Sequence, residues 1–236
     1  GVVSAATNIT TCHELSSDGE TYYLTTDIIN SSTSKCINIT ANNVVLDCQG
    51  HLIDGNDSAK YGIYIYRSSA QTTNITVKNC IVTGWDSANI YLYRADGNTI
   101  TDVTSNSSPD YGILLYSSSS NTLTNITANS NGGSISLFFS SSNTLTNITA
   151  NSNGEEGIYL FFSSSNTLTD ITTNSNTLDG ILLYSSSSNT LTDIMANSNY
   201  WVGIYLYSSS SNTLTNITAN SNTWVGILLS SSSSNT

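Results

Sequence analysis

The dipeptide Asn-Thr returns at Asn143, Asn166, Asn189, Asn212 and Asn235, 23 residues apart each time, and this repeat constrains the fold more than any other feature. A further copy begins at Asn121, 22 residues before Asn143, and a looser one at Asn98, 23 before that. Each unit reads roughly Asn-Thr-Leu-Thr-Asn-Ile-Thr-Ala-Asn-Ser-Asn, then a variable trio, then Gly-Ile-Tyr-Leu-Tyr and a run of serines. A fixed period of this size marks a solenoid or another repeat array. Such a chain makes a rod with long flat faces, so its function is expected in ladders of side chains.

Within the unit 212–234, Leu214, Ile217 and Ala219 are apolar at steps of three and two, and Ile227 and Leu229 alternate with outward positions. Alternation predicts strands, and the three-residue step predicts a corner near Thr215 and Asn216. One column of core residues runs Val45, Val77, Ile100, Leu123, Leu145, Leu168, Leu191, Leu214. A second runs Cys48, Cys80, Val103, Ile126, Ile148, Ile171, Ile194, Ile217, and a third runs from Ile63 to Ile227. Gly62, Gly112, Gly157, Gly180, Gly203 and Gly226 precede the third column, where the backbone needs either positive φ or close approach. The expected fold is all-β: a right-handed parallel β-helix of about eight turns over 41–236, with 1–40 as an N-terminal arm and cap. At about 4.8 Å per turn the rod is roughly 40 Å long. Leu123, Ile126, Ala128 and Asn131 also fit a leucine-rich repeat, but the Gly-Ile-Tyr-Leu-Tyr half is β-type rather than helical.

The formal charge of −11, from 16 acidic and 5 basic residues, argues against nucleic acid, which needs a basic face. No stretch is apolar for long enough to span a bilayer. Val3-Ser4-Ala5 has the small-residue pattern of a signal cleavage site, which points to a secreted or cell-surface protein.

The signature Asn-Thr-Leu-Thr-Asn-Ile-Thr with Gly-Ile-Tyr-Leu resembles right-handed parallel β-helix repeat proteins of the NosD-like and carbohydrate-binding or sugar-hydrolase types. The stretch from Cys36 to His51 is similar to the first coil of archaeal surface proteins in that group. The resemblance covers 36–236 and implies a fold, but that fold hosts lyases, hydrolases, adhesins and structural proteins.

Cys12 and Cys36 are expected to form a disulfide that fastens the cap, and Cys48 and Cys80 share a core column as thiols or as a second disulfide. Four cysteines allow three pairings. The sequence stops at Asn235-Thr236, just inside a new turn, so either the chain continues or another chain completes the stack.

Tyr66, Tyr93, Tyr116, Phe138, Phe161, Tyr184 and Tyr207 recur at the end of the Ile/Leu strand, with Trp201 and Trp224 beside them. Two readings stay open: a sugar-binding or lateral contact strip, or rung-to-rung stacking. The corner carries Asp47, Asn79, Asp102, Asn125, Asn147, Asp170, Asp193 and Asn216, residues that tolerate left-handed backbone. Asp170 and Asp193 would be neighbours, and a bound Ca²⁺ would relieve the repulsion between them. Glycosylation sequons stand at Asn8, Asn30, Asn38, Asn56, Asn74, Asn106, Asn125, Asn147 and Asn216.

Arg67 and Arg94 form a basic step near Asp96, read as a local charge pair. His13 and His51 lie far apart, and no catalytic motif is found. Near-identical turns argue against a locally distinctive active site, so the chain is expected not to be an enzyme. The leading expectation is a structural or adhesive surface protein that assembles with itself or with other surface proteins by stacking and lateral contacts. The alternative is a carbohydrate-binding or carbohydrate-processing β-helix. Metal delivery of the NosD kind is weak, given one Met, two His and four cysteines.

Overall fold

The structure, a computed structural model, describes residues 6–66 and 71–236. Among them there are strands and turns but no helix, and neighbouring strands pair in parallel. A first sheet of 12 strands begins at Ala6–Ile9 and ends at Thr213–Thr218; a second sheet of 10 strands begins at His13–Leu15 and ends at Val225–Ser230. The chain visits the two sheets alternately, which makes about nine stacked coils. Thr72–Thr73 pairs with Ala95–Asp96 in a short third sheet.

Each coil copies the last in register. Leu145 pairs with Leu168, Leu168 with Leu191 and Leu191 with Leu214, while Ile158, Ile181, Ile204 and Ile227 align in the second sheet. These side chains fill the bore between the sheets, and those through Leu206 are essentially fully buried. Burying one such side chain is worth about 1.5–3 kcal/mol. The three-residue step from Leu to Ile is produced at the corner: Asn125, Asn147, Asp170, Asp193 and Asn216 all have φ between 52° and 56°. That left-handed residue turns the strand, so Leu and Ile both point inward where plain alternation would oppose them.

One column begins a residue later than the sequence suggests. Leu46, not Val45, pairs with Val77; Leu46 is fully buried and Val45 only half-buried. Asp47 therefore lies opposite Lys78, 3.2 Å from its ammonium, and Gln49 carries the positive φ of 53°. A one-residue slip exchanges the faces of a strand, and the core settles which residue turns inward.

The repeated glycines serve close approach. A Cβ on Gly157 would lie 2.7 Å from the carbonyl oxygen of Gly180, and one on Gly180 would lie 2.6 Å from that of Gly203.

The repeated asparagines and serines are buried, and they hold consecutive coils together. The N–H of Asn143 donates to Oδ1 of Asn166 at 2.8 Å, Asn166 to Asn189 at 2.7 Å, and Asn189 to Asn212 at 2.8 Å. A second asparagine ladder runs through Asn131, Asn153, Asn176, Asn199 and Asn222. A serine ladder runs Ser118, Ser140, Ser163, Ser186, Ser209, Ser232, each N–H donating to the next hydroxyl at 2.9 Å. The corners leave backbone donors that no strand can satisfy, and these side chains satisfy them.

The described part of the segment read as arm and cap, residues 6–40, contributes strands to both sheets. Two disulfides join Cys12 to Cys36 and Cys48 to Cys80, with Cα atoms 4.4 and 4.8 Å apart. Val3-Ser4-Ala5 lies outside the described residues.

Candidate functional site

The outer surface of the second sheet carries the aromatic ladder. Outward positions of successive strands place Tyr66, Tyr93, Tyr116, Phe138, Phe161, Tyr184 and Tyr207 in one column, with neighbouring ring centroids 5.0–6.5 Å apart. Tyr64, Tyr91, Tyr159 and Tyr205 belong to the adjacent column. Burial among these rings pushes the Tyr64 hydroxyl up to about 12. Phe139 and Phe162 stand outside the column, about half exposed, with rings stacked at 5.7 Å. The ladder thus stacks rung on rung and also presents a continuous aromatic face.

Beside it, the variable trio of each repeat forms a corner of its own. Glu155, Leu178, Trp201 and Trp224 follow one another, each N–H donating to the carbonyl one coil earlier. The next residues, Glu156, Asp179 and Val202, make the adjoining column. Glu156, Leu178, Asp179, Leu182, Tyr184, Trp201, Tyr205 and Tyr207 line an open groove of about 270 Å³. Trp201 and Trp224 continue into a second groove of about 320 Å³ with Tyr200 and Thr223.

This corner is electrostatically unusual. Burial pushes the Glu156 carboxyl up to about 7, and the charges of Asp179 and Glu155 add to the effect. Asp179 is 3% exposed; burial raises it to about 6, partly offset by the N–H of Val202, which donates to Oδ1 at 3.0 Å. Asp110, two coils earlier on the same corner, also rises to about 6 through shelter and the charges of Glu155 and Asp86. Tyr111 and Tyr159 rise to about 12, chiefly by burial, with Glu156 among the charges acting on both. No cation lowers any of these groups, and residues 95–236 contain no Lys, Arg or His. Carboxylates with raised pKa beside an aromatic groove are a recognised signature of functional sites.

The sequence reading missed Asp110, Glu155, Glu156 and Asp179, because attention to the repeat draws the eye to what stays constant. The signal was available: the trio is where the coils differ, and Glu155 and Glu156 are the only glutamates after Glu20.

The other candidates are placed as follows. Asp170 and Asp193 sit on consecutive coils in an open cleft with Asn147 and Asn216, and the Asn216 amide donates to Asp193. Among the described residues no three His, Cys, Asp or Glu side chains are grouped to hold a metal ion. The amides of Asn125 and Asn147 donate to Asp102 and Asn125 at 2.8 Å, and that of Asn74 to Asn43 at 2.7 Å, so these sequon nitrogens are engaged in ladders. Asn56 accepts from Ser58 and Ala59, Asn106 accepts from Asn129, and Asn38 Oδ1 is buried without a partner. Asn8 and Asn30 are exposed. Arg94 lies over the Tyr93 ring at 5.4 Å, and Asp96 accepts from Gln71 and from the N–H of Ser119; Arg67 lies outside the described residues.

Residues 88–236 match the family described as right handed beta helix region, and residues 5–155 match periplasmic copper-binding protein (NosD). The chain is a NosD-like right-handed parallel β-helix protein. No curated protein sequence matches it significantly.

Solved structures share the fold of this β-helix. The periplasmic alginate epimerase AlgG superposes with a TM-score of 0.65 at 14% identity, over 92% of this chain and 69% of that one. The Dettilon tailspike protein gives 0.74 at 17%, over 91% of this chain but only 46% of its own length. The A-module of the Azotobacter vinelandii mannuronan C-5 epimerase AlgE6 gives 0.60 at 12%, over 96% and 88%. These likenesses correct one expectation. Uniform coils were read as an argument against an enzyme, yet epimerases are built on the same stack, so that argument fails.

The copper in the NosD description does not fit this β-helix. Copper sites draw on imidazole, thiolate and thioether ligands. All four cysteines are in disulfides, His51 is bound to Asp27, and the single methionine, Met195, is exposed far from either histidine in the stack.

Proposed function

We propose that this β-helix binds and processes carbohydrate along the aromatic face of its second sheet. The observation that carries the reading is the groove where Glu156 and Asp179 meet Tyr184, Trp201, Tyr205 and Tyr207. Aromatic rings give a sugar a flat apolar platform, and sheltered carboxyls give it hydrogen-bond and proton-transfer partners. Glu156 and Asp179 lie one coil apart with carboxyls near 7 and near 6. Two neighbouring acids whose pKa values are raised toward neutrality suit acid–base work on a sugar. The named chemistry of the epimerases on this fold supports a carbohydrate ligand. Two disulfides and the periplasmic setting of the family support a place outside the cytoplasm.

The test is a panel of neutral, amino and uronate oligosaccharides followed by tryptophan fluorescence and by mass spectrometry of products. Saturable binding lost in Trp201→Ala, with product formation lost in Glu156→Gln, supports the reading. No saturable response across the panel overturns it.

A second reading, lateral contact between rods, is favoured by the exposed Phe139–Phe162 stack. Sedimentation across a concentration range, with Phe139→Ser and Phe162→Ser as controls, decides it.

A further inference from the structure

We infer that the glycan taken by this groove carries protonated amines, as a polymer of glucosamine does, and not the uronate carboxylates implied by the alginate and mannuronan names of the fold relatives. The inference rests on the carbohydrate reading above and specifies its substrate class.

The first observation is Asp179. Its side chain is 97% removed from solvent, and it lines the groove. Oδ1 accepts the Val202 N–H, and among the described residues no cationic side chain pairs with the carboxylate. A buried charge is normally paired, because removal from water is costly. Here a cationic partner can reach the carboxylate from the groove side. An ammonium group supplies a charge and three hydrogen-bond donors.

The second observation is the charge of the surroundings. Residues 95–236 carry Asp96, Asp102, Asp110, Glu155, Glu156, Asp170, Asp179 and Asp193 and no cationic side chain. The cation nearest in register on the corner is Lys60, two coils before Asp110, whose carbonyl accepts from Ser87 as that of Ser87 accepts from Tyr111. A uronate chain laid along this corner would meet only like charge. A chain of amines would meet carboxylates on several coils. The coils repeat at about 4.8 Å, so Asp110, Glu155 and Asp179 fall on successive or alternate steps of an extended polymer lying along the axis.

The third observation is the aromatic lining. Tyr184, Trp201, Tyr205 and Tyr207 line the same groove, and an aromatic face attracts a cation as well as a sugar ring. Acidic and aromatic groups in one groove favour a ligand that is at once a sugar and a cation.

The experiment is calorimetry at about pH 6, where glucosamine amines are mostly protonated, and low salt with hexamers of glucosamine, N-acetylglucosamine, glucose and mannuronate. The glucosamine hexamer should bind at least about tenfold more tightly than the N-acetylated one. Its affinity should fall as salt rises. Asp179→Asn keeps an acceptor for the Val202 N–H and so keeps the fold; it should weaken glucosamine binding about tenfold, and weaken it more than binding of the neutral hexamers. Equal or tighter binding of the N-acetylated, glucose or mannuronate hexamer overturns the amine inference and leaves the carbohydrate reading standing. Unchanged glucosamine binding by folded Asp179→Asn also overturns it. Binding of none of the hexamers removes both.

Discussion

Asp179 accepts the backbone N–H of Val202 from the next coil, 3.0 Å away, and the same residue lines the aromatic groove. One carboxylate thus joins two coils and forms part of the candidate site. Its titration therefore couples the stability of the rod to the state of the groove.

Stability should fall as pH rises through the neutral range. Glu156 is near 7 and Asp179 near 6 in the fold, against ordinary values of 4.5 and 3.8. The folded form holds extra protons between about pH 4 and 7, so ionising these groups works against it. Glu20, Asp27 and Asp47 are shifted downward and lose their contribution only in more acid solution. Thermal melts should therefore show a higher midpoint at pH 5 than at pH 8. Glu156→Gln should flatten that slope and stabilise the alkaline form by on the order of 1–3 kcal/mol. An unchanged slope in the variant would reject the assignment.

Asn176→Ala should destabilise the rod far more than Asn216→Ala. Asn176 is buried and its Oδ1 satisfies the N–H of Asn153, whereas Asn216 lies on the exposed corner. Leaving a buried donor unsatisfied costs roughly 1–3 kcal/mol. Urea unfolding of the two variants side by side gives the comparison.

Gly180→Ala should be poorly tolerated and Gly154→Ala well tolerated. The new Cβ at position 180 would meet the Gly203 carbonyl oxygen at 2.6 Å, while at 154 the nearest atoms lie 3.6 Å away. Forced separation of two coils should lower the melting temperature by several degrees or abolish expression, which a paired expression and melting experiment reads directly.

Reduction should fray the amino-terminal coils first. The Cys48–Cys80 bridge closes a loop of 32 residues, worth about 3–4 kcal/mol in the chain-entropy account. Hydrogen exchange in the presence of reductant should show protection lost over residues 12–80 before the region around Leu168 and Leu191.

These outcomes also show what a reader of the sequence could reach. The 23-residue period and the Leu-to-Ile step were enough for coils, core columns and the aromatic ladder, because one face must be apolar at every turn. Val45 and Leu46 were confused because both are apolar and adjacent, and only contact with Val77 distinguishes them. The buried role of Asn143 and Asn166 was hidden as well: asparagine looks like a surface residue until the unsatisfied backbone beside it is seen. Glu156 and Asp179 were hidden for the opposite reason. They occupy the few positions where the repeat breaks its own pattern, and their meaning comes from the tryptophan and tyrosines that neighbouring coils bring alongside.

The buried asparagine and serine ladders point one way, each coil's amide bonding to the side chain of the coil after it, while the ladders through Asn129 and Asn151 and through Ser141 and Ser164 point back to the coil before. Any unit therefore presents the same socket to its predecessor and the same plug to its successor. A gene coding for such units can gain or lose one by misaligned recombination and still specify a satisfied interior. The chain is in this sense a ruler that evolution can recut, with each added segment offering a fresh trio on which new chemistry can be tried.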